Sequence, residues 1–222
     1  MKKTFLLGLA LAAVNAHAVI YSTNWTVNAA IPDNNPSGWV SSQTVSTMPA
    51  GTLQGVAVDI QLASGWTGDL YAYLVHETGF AVLLDRVGTP GLTYGYGAGS
   101  MNVTLAEGAS WDGNAILGNI HGAGASPSGT YYNPDNSNAG ISTTGASGSL
   151  ASFLTTNPNG TWNLFVSDLS GGGVTTVQSW GLQMDIVAVP EVETWVAAAL
   201  AGMFGAFWLN RQIWGTKGPQ RS

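Results

Sequence analysis

The chain has 222 residues, of which 6 are Lys or Arg and 12 are Asp or Glu, giving a formal net charge of -6. So small a basic complement excludes a nucleic-acid binder, which needs a cationic face. Hydrophobic residues make up 45%, with 9 Trp and 30 Gly, enough for a core with glycine-dense turns, and the absence of Cys excludes disulfides, thiolate metal sites and cysteine nucleophiles.

Lys2 and Lys3 precede an apolar run over residues 5–14 and then Ala16-His17-Ala18. This is the basic, apolar and small-x-small order of a secretory signal peptide, which predicts export with cleavage after Ala18. Residues 19–189 then form one domain. Within it Arg86 is the sole Lys or Arg, against ten acidic residues. A surface of that sign repels nucleic acid and anionic lipid, and attracts divalent cations or basic partners.

Along the domain, Val56, Val58, Ile60 and Leu62 alternate with Ala57, Asp59 and Gln61, the period of a strand with one buried face. A turn at residues 64–69 leads to a second alternation over Leu70, Ala72 and Leu74, and Gly79 introduces a third run over residues 80–84. These three read as a β-meander. Residues 91–159 are rich in Gly, Asn, Ser and Pro and read as long loops, with one strand-length run at 101–105. Near the end, Trp162, Leu164 and Val166 alternate, Ser170-Gly171-Gly172-Gly173 turns the chain, and Trp180, Leu182, Met184 and Ile186 alternate in turn. That pattern reads as a second hairpin. With no amphipathic helix in the domain, the expected class is all-β, a jelly-roll-type β-sandwich.

Beyond Val189-Pro190-Glu191, residues 195–209 carry no charge, and Arg211, Lys217 and Arg221 follow. A helix of that length rises about 22 Å, so spanning a bilayer core of roughly 30 Å requires Thr194 and residues 210–214 as well. The expectation is a single transmembrane helix with the basic end in the cytoplasm and the domain outside. The segment resembles a PEP-CTERM sorting signal: Val189, Pro190 and Glu191 match its motif, and Val192 stands where a second proline is usual. The resemblance implies sorting to the cell surface after C-terminal processing.

The domain itself carries an ordered set of motifs. They are Ile31-Pro32-Asp33-Asn34-Asn35-Pro36-Ser37-Gly38, Thr67-Gly68-Asp69-Leu70-Tyr71-Ala72-Tyr73-Leu74 and Leu83-Leu84-Asp85-Arg86-Val87-Gly88 in the first half. Gly129-Thr130-Tyr131-Tyr132-Asn133-Pro134, Asn157-Pro158-Asn159-Gly160-Thr161-Trp162-Asn163-Leu164-Phe165-Val166-Ser167-Asp168 and Ser179-Trp180-Gly181-Leu182 follow in the second. In this order they resemble the P domain, or Homo B, of proprotein convertases and bacterial subtilisin-like proteases. That resemblance implies a β-sandwich which packs on a serine endopeptidase domain and has no catalytic residue of its own. Where the family often has His-x-Tyr before Gly-Asp, this chain has Gly65-Trp66-Thr67, and the loop after Asp168 lacks a second acidic residue.

No catalytic site is expected from the residues. The domain's histidines are His76 and His121, and neither lies in a subtilisin-type catalytic motif. Two histidines without cysteine make a poor zinc site. Among the carboxylates, nothing singles out a glycosidase pair. Calcium is the one cofactor the residues suggest, because Asp33, Asp69 and Asp168 fall at turns beside Asn and Gly, where a hard cation finds oxygen ligands. The expected function is an exported interaction or structural module, and an accessory of a separate subtilisin-like protease is the alternative. A surface glycan is a further candidate partner, through Tyr94, Tyr96, Tyr131 and Tyr132.

Overall fold

Sequence alternation becomes nine strands in the computed structural model, which describes residues 18–87, 97, 99–107, 128–132, 148–188 and 192–215. The expected signal peptide up to His17, the sorting motif Val189, Pro190 and Glu191, and also Tyr94, Tyr96 and His121 lie outside the described residues. The chain forms two units, Ala18–Ala188 and a second that contains the C-terminal helix.

In the first unit the strands are β1 (Ala18–Ala30), β2 (Asn35–Val45), β3 (Gly51–Ala63), β4 (Leu70–His76), β5 (Gly79–Asp85), β6 (Ser100–Ala106), β7 (Ser128–Tyr132), β8 (Gly160–Asp168) and β9 (Thr176–Ala188). One sheet runs β1-β9-β3-β6-β7 and the other β2-β8-β4-β5. β7 lies parallel to β6, whereas the other pairings are antiparallel. Leaving β7 aside, the orders 1-9-3-6 and 2-8-4-5 are the wrap of a jelly roll, and they bear out the all-β expectation.

Two local readings are corrected. β3 does not continue into a meander, because β4 and β5 belong to the opposite sheet; β8 and β9 are likewise no hairpin but face each other from different sheets. The reason lies in the connections. Residues 64–69 and 169–175 are long enough to step across the roughly 10 Å between packed sheets, which a tight two-residue turn cannot do. The glycines at 171–173 therefore serve an arch between layers. Within residues 91–159, β6 contains the anticipated 101–105 run, while β7 and a 3₁₀ turn at Leu150–Phe153 were not foreseen.

The core lies between the layers. β8 sends Trp162, Leu164 and Val166 inward and β9 sends Trp180, Leu182, Met184 and Ile186, all buried, with Phe153 of the 3₁₀ turn packed against Trp162. Full burial of such side chains is the main stabilising contribution, about 1.5–3 kcal/mol for each large apolar group. One hydrogen bond crosses the core from sheet to sheet: Trp180 Nε1 donates to Ser41 Oγ at 3.0 Å. The outer face of the first sheet is polar, with Asp59 accepting from Thr104 Oγ1 and from Gln183 Nε2.

The second unit contains one helix, α1 (Val192–Gly215), of 24 residues. Its described side chains include exposed Leu200, Met203, Phe204, Phe207 and Trp208. The expected transmembrane span is not supported, since no helix among the described residues is long and apolar enough to cross a membrane. Glu193 at one end, Asn210, Arg211 and Gln212 at the other, and the Ala and Gly content between them limit its hydropathy.

Candidate functional site

At one end of the sandwich three segments distant in sequence meet, and each carries one of the aspartates singled out above. Asp33 lies in the turn between β1 and β2, Asp69 ends a 3₁₀ turn at Thr67–Asp69, and Asp168 is the last residue of β8. Strand register brings them together. Asp168 sits opposite Leu70 of β4 on one side and Asn35 of β2 on the other. The Leu169 N–H donates to Asp69 O at 2.9 Å, closing the junction.

The three carboxylates have unequal surroundings. Asp33 is exposed and accepts two long hydrogen bonds from the Gly172 N–H, at 3.3 and 3.4 Å. Asp168 is fully buried, and its Oδ1 accepts from the Ser170 N–H at 3.2 Å. Asp69 is 2% exposed and takes a hydrogen bond from the Ser170 side chain. Asp69 Oδ1 and Asp168 Oδ2, both buried, have no hydrogen-bond partner. A buried carboxylate oxygen left so costs its full desolvation, so something must compensate it.

Electrostatics agrees with this geometry. Burial raises Asp69 above the ordinary aspartate value, against the lowering by the Ser170 hydrogen bond and the nearby Arg86, and Asp33 raises it further. Burial likewise raises Asp168; its hydrogen bond from Ser170 lowers it, while Asp69 and Asp33 add like-charge repulsion. Arg86 Nε donates to Gly68 O, next to Asp69, at 3.4 Å.

The enclosure comes from the two connecting segments. Gly65 has φ +64°, and a Cβ there would sit 1.9 Å from Thr175 Oγ1, so only glycine lets the β3–β4 connection close against the β8–β9 arch. Trp66 lies over Gly172 and is half-exposed at the rim. Thr175 Oγ1 is a third buried oxygen without a partner. Sequence reasoning picked out the three aspartates but not Trp66 or Thr175; the Gly65 position beside a glycine-rich arch was the available signal. Among the described residues, no three or more His, Asp or Glu side chains form a ready ligand set for a metal ion. The three aspartates are thus neighbours and not a closed cage.

His76 has a different setting. It is buried in β4, with Nδ1 3.0 Å from Thr161 O and Nε2 2.7 Å from Asn157 O, and its ring stacks on Trp162. His76 does not join the aspartates, and His121 lies outside the described residues. Of the tyrosines considered for glycan contact, Tyr131 and Tyr132 belong to β7.

No family model matches the chain, and no curated protein matches its sequence. Solved structures similar to it include two of an Aeromonas sobria serine protease. A chain of the Aeromonas sobria serine protease complexed with its chaperone has a TM-score of 0.45 and 16% identity over 78% of this chain. The Aeromonas sobria serine protease itself has a TM-score of 0.43 and 18% identity over 76%. The present chain spans 27% of the length of each.

Proposed function

We propose that this chain is an exported, non-catalytic β-sandwich of P (Homo B) type that works by engaging another protein, as an interaction or structural module. The observation that carries this reading is the setting of His76. A general base has to reach a substrate proton, and a ring whose two nitrogens face backbone carbonyls and whose face is covered by an indole has no such reach. The motifs behind the resemblance also fall on structural positions. Gly68 and Asp69 make a turn, Gly160 takes the positive φ that opens β8, and Trp162 and Trp180 fill the core.

A partner surface is available where the domain presents half-exposed Trp66 and Val174 beside the acidic end, an aromatic anchor of the kind that dominates protein interfaces. The test is co-purification from the exported fraction, with wild type and Trp66→Ser compared. A protein retained by wild type and lost from the variant is the expected result. Hydrolysis of peptides by the purified chain alone would overturn the proposal.

The order of the P-like motifs favours one class of partner over others, a separately encoded subtilisin-like catalytic subunit, and the identity of the retained protein decides it. In this proposal the C-terminal segment sorts the domain to the outer side of the membrane or to the cell surface. Cell fractionation with and without residues 189–222 checks that part.

A further inference from the structure

We propose that β1 is a docking edge whose occupant is the β1 strand of a second copy of this chain, joined antiparallel about a two-fold axis. The inference goes beyond the reading above, since it needs no other protein. It rests on how unequally the fold treats its outer strands, β1 and β7 in one sheet and β2 and β5 in the other. β5 is capped: the Phe80 N–H donates to Ser152 Oγ at 2.9 Å, that hydroxyl donates to Phe80 O at 2.7 Å, and the Val82 N–H donates to Gly148 O at 3.0 Å. β7 is only five residues long, and β2 opens with Pro36, a positive φ at Gly38 and a register shift. Cover, short length, proline and irregular pairing are the usual protections of a sheet edge.

β1 lacks these over most of its length. It runs 13 residues without Pro or a charged side chain, and it pairs with β9 in unbroken register from Ala18 to Thr26, before a shift between Thr26 and Ala29. Among the described residues, no hydrogen bond covers its outer side. Tyr21, Trp25 and Val27 pack against the core, with the Trp25 ring 4.6 Å from that of Trp180, yet they stay half-buried because β1 has a neighbouring strand on one side alone. A free row of backbone donors and acceptors beside incomplete apolar burial is what strand addition uses.

Charge and symmetry select the occupant. Ten acidic residues stand against one arginine in residues 19–189, so two copies repel over most of their surface. A basic partner gains nothing from an uncharged strip, whereas a second copy meets the least repulsion there. An antiparallel strand is also complementary to itself, and a two-fold pair closes after two copies. With Thr23 on the axis, Ile20–Thr26 pairs with its counterpart inside the unbroken register. Tyr21 of each copy then falls opposite Trp25 of the other on the half-buried face, and Ser22 falls opposite Asn24 on the exposed one.

The experiment uses the purified full-length protein. One strand pair is a small interface, so the mass measured by sedimentation rises towards twice the monomer between about 1 and 100 µM, for a Kd of about 10 µM. Ser22→Lys with Asn24→Lys sets like charges opposite each other, as does Ser22→Glu with Asn24→Glu. Each double variant weakens association about tenfold, and an equimolar mixture of the two restores it. Both positions are exposed, so the fold tolerates the changes. The chain has no Cys, and Cα atoms paired across antiparallel strands lie about 4.5–5.5 Å apart, so Thr23→Cys on the axis oxidises to a covalent dimer while Ala30→Cys, beyond the shift, does not. If Thr23→Cys does not fold, the charge-swap mixture still decides. A monomer at every concentration overturns the proposal. So does a doubling of mass that both charged variants leave untouched, which assigns association to another surface, such as the exposed Phe204 and Phe207 of α1.

Discussion

The imidazole of His76 lies flat on the indole of Trp162, with ring centroids 3.9 Å apart and planes within 3°. Trp162 Nε1 donates in turn to Pro158 O at 3.2 Å, and His76 reaches Asn157 O and Thr161 O, so the pair ties β4 and β8 to the turn that precedes β8. Replacing His76 with Leu keeps roughly the volume but removes the ring N–H that donates to one of those carbonyls. The expected loss is about 1–3 kcal/mol, read as a lower urea midpoint with an unchanged slope.

Ser41 and Trp180 join the two sheets through a hydrogen bond at the edge of the apolar core. Ser41→Ala therefore leaves a buried indole N–H unpaired and costs about 1–3 kcal/mol. The double variant with Trp180→Phe removes both partners, and a double-mutant cycle from equilibrium unfolding is expected to give a coupling of about 1 kcal/mol.

Burial raises the carboxyls of Asp69 and Asp168 in the folded state. Their protonation therefore favours folding. The benefit is complete below the ordinary aspartate value and is lost as pH rises through the raised folded values. Wild type should lose stability relative to Asp168→Asn as pH rises above the ordinary aspartate value, by at most about 1.4 kcal/mol per pH unit for each proton released. Chemical denaturation of the two proteins at several pH values checks the sign. A difference that does not change with pH contradicts it.

Gly65 and Gly171 make a matched pair on the two connecting segments. An added Cβ at Gly65 meets a positive φ and Thr175 Oγ1 at 1.9 Å, whereas at Gly171 the nearest atom is Asn34 Cβ at 3.8 Å. Gly65→Ala is expected to destabilise by about 1–3 kcal/mol, and Gly171→Ala to be neutral or to stabilise by about 0.4–1 kcal/mol. Melting temperatures of the two variants measure this.

The sequence was most legible where burial is one-sided. β3, β8 and β9 carry long alternations of large apolar and polar residues, and their inward faces follow directly. β1 escaped notice because none of its residues is fully buried: Tyr21, Trp25 and Val27 are half-buried against the core while Val19 and Ile20 are exposed and blur the alternation; β2 escaped because its Asn-Pro-Ser-Gly start and register shift break the alternation. Alternation assigns a face but not a sheet. That is why β8 and β9 read as a hairpin when they oppose each other across the core. Turn chemistry identified the three aspartates, but the unpaired burial of Asp69 and Asp168 arises only from tertiary contacts. Asn159 stood out in the sequence only as part of a motif, yet its side chain bonds the Met48 backbone at both N–H and C=O, at 3.0 and 2.9 Å, clamping the β2–β3 connection.

The partnership of β1 with β9 imposes an order on assembly. From Ala18↔Val187 to Ala30↔Thr176, the earliest strand docks on the latest along nearly its whole length. Emerging end first, the polypeptide must keep β1 waiting until some 150 further residues have arrived, so ring closure comes late and slowly, as expected for topologies dominated by distant pairings. Until then the first sheet lacks the edge strand that completes it.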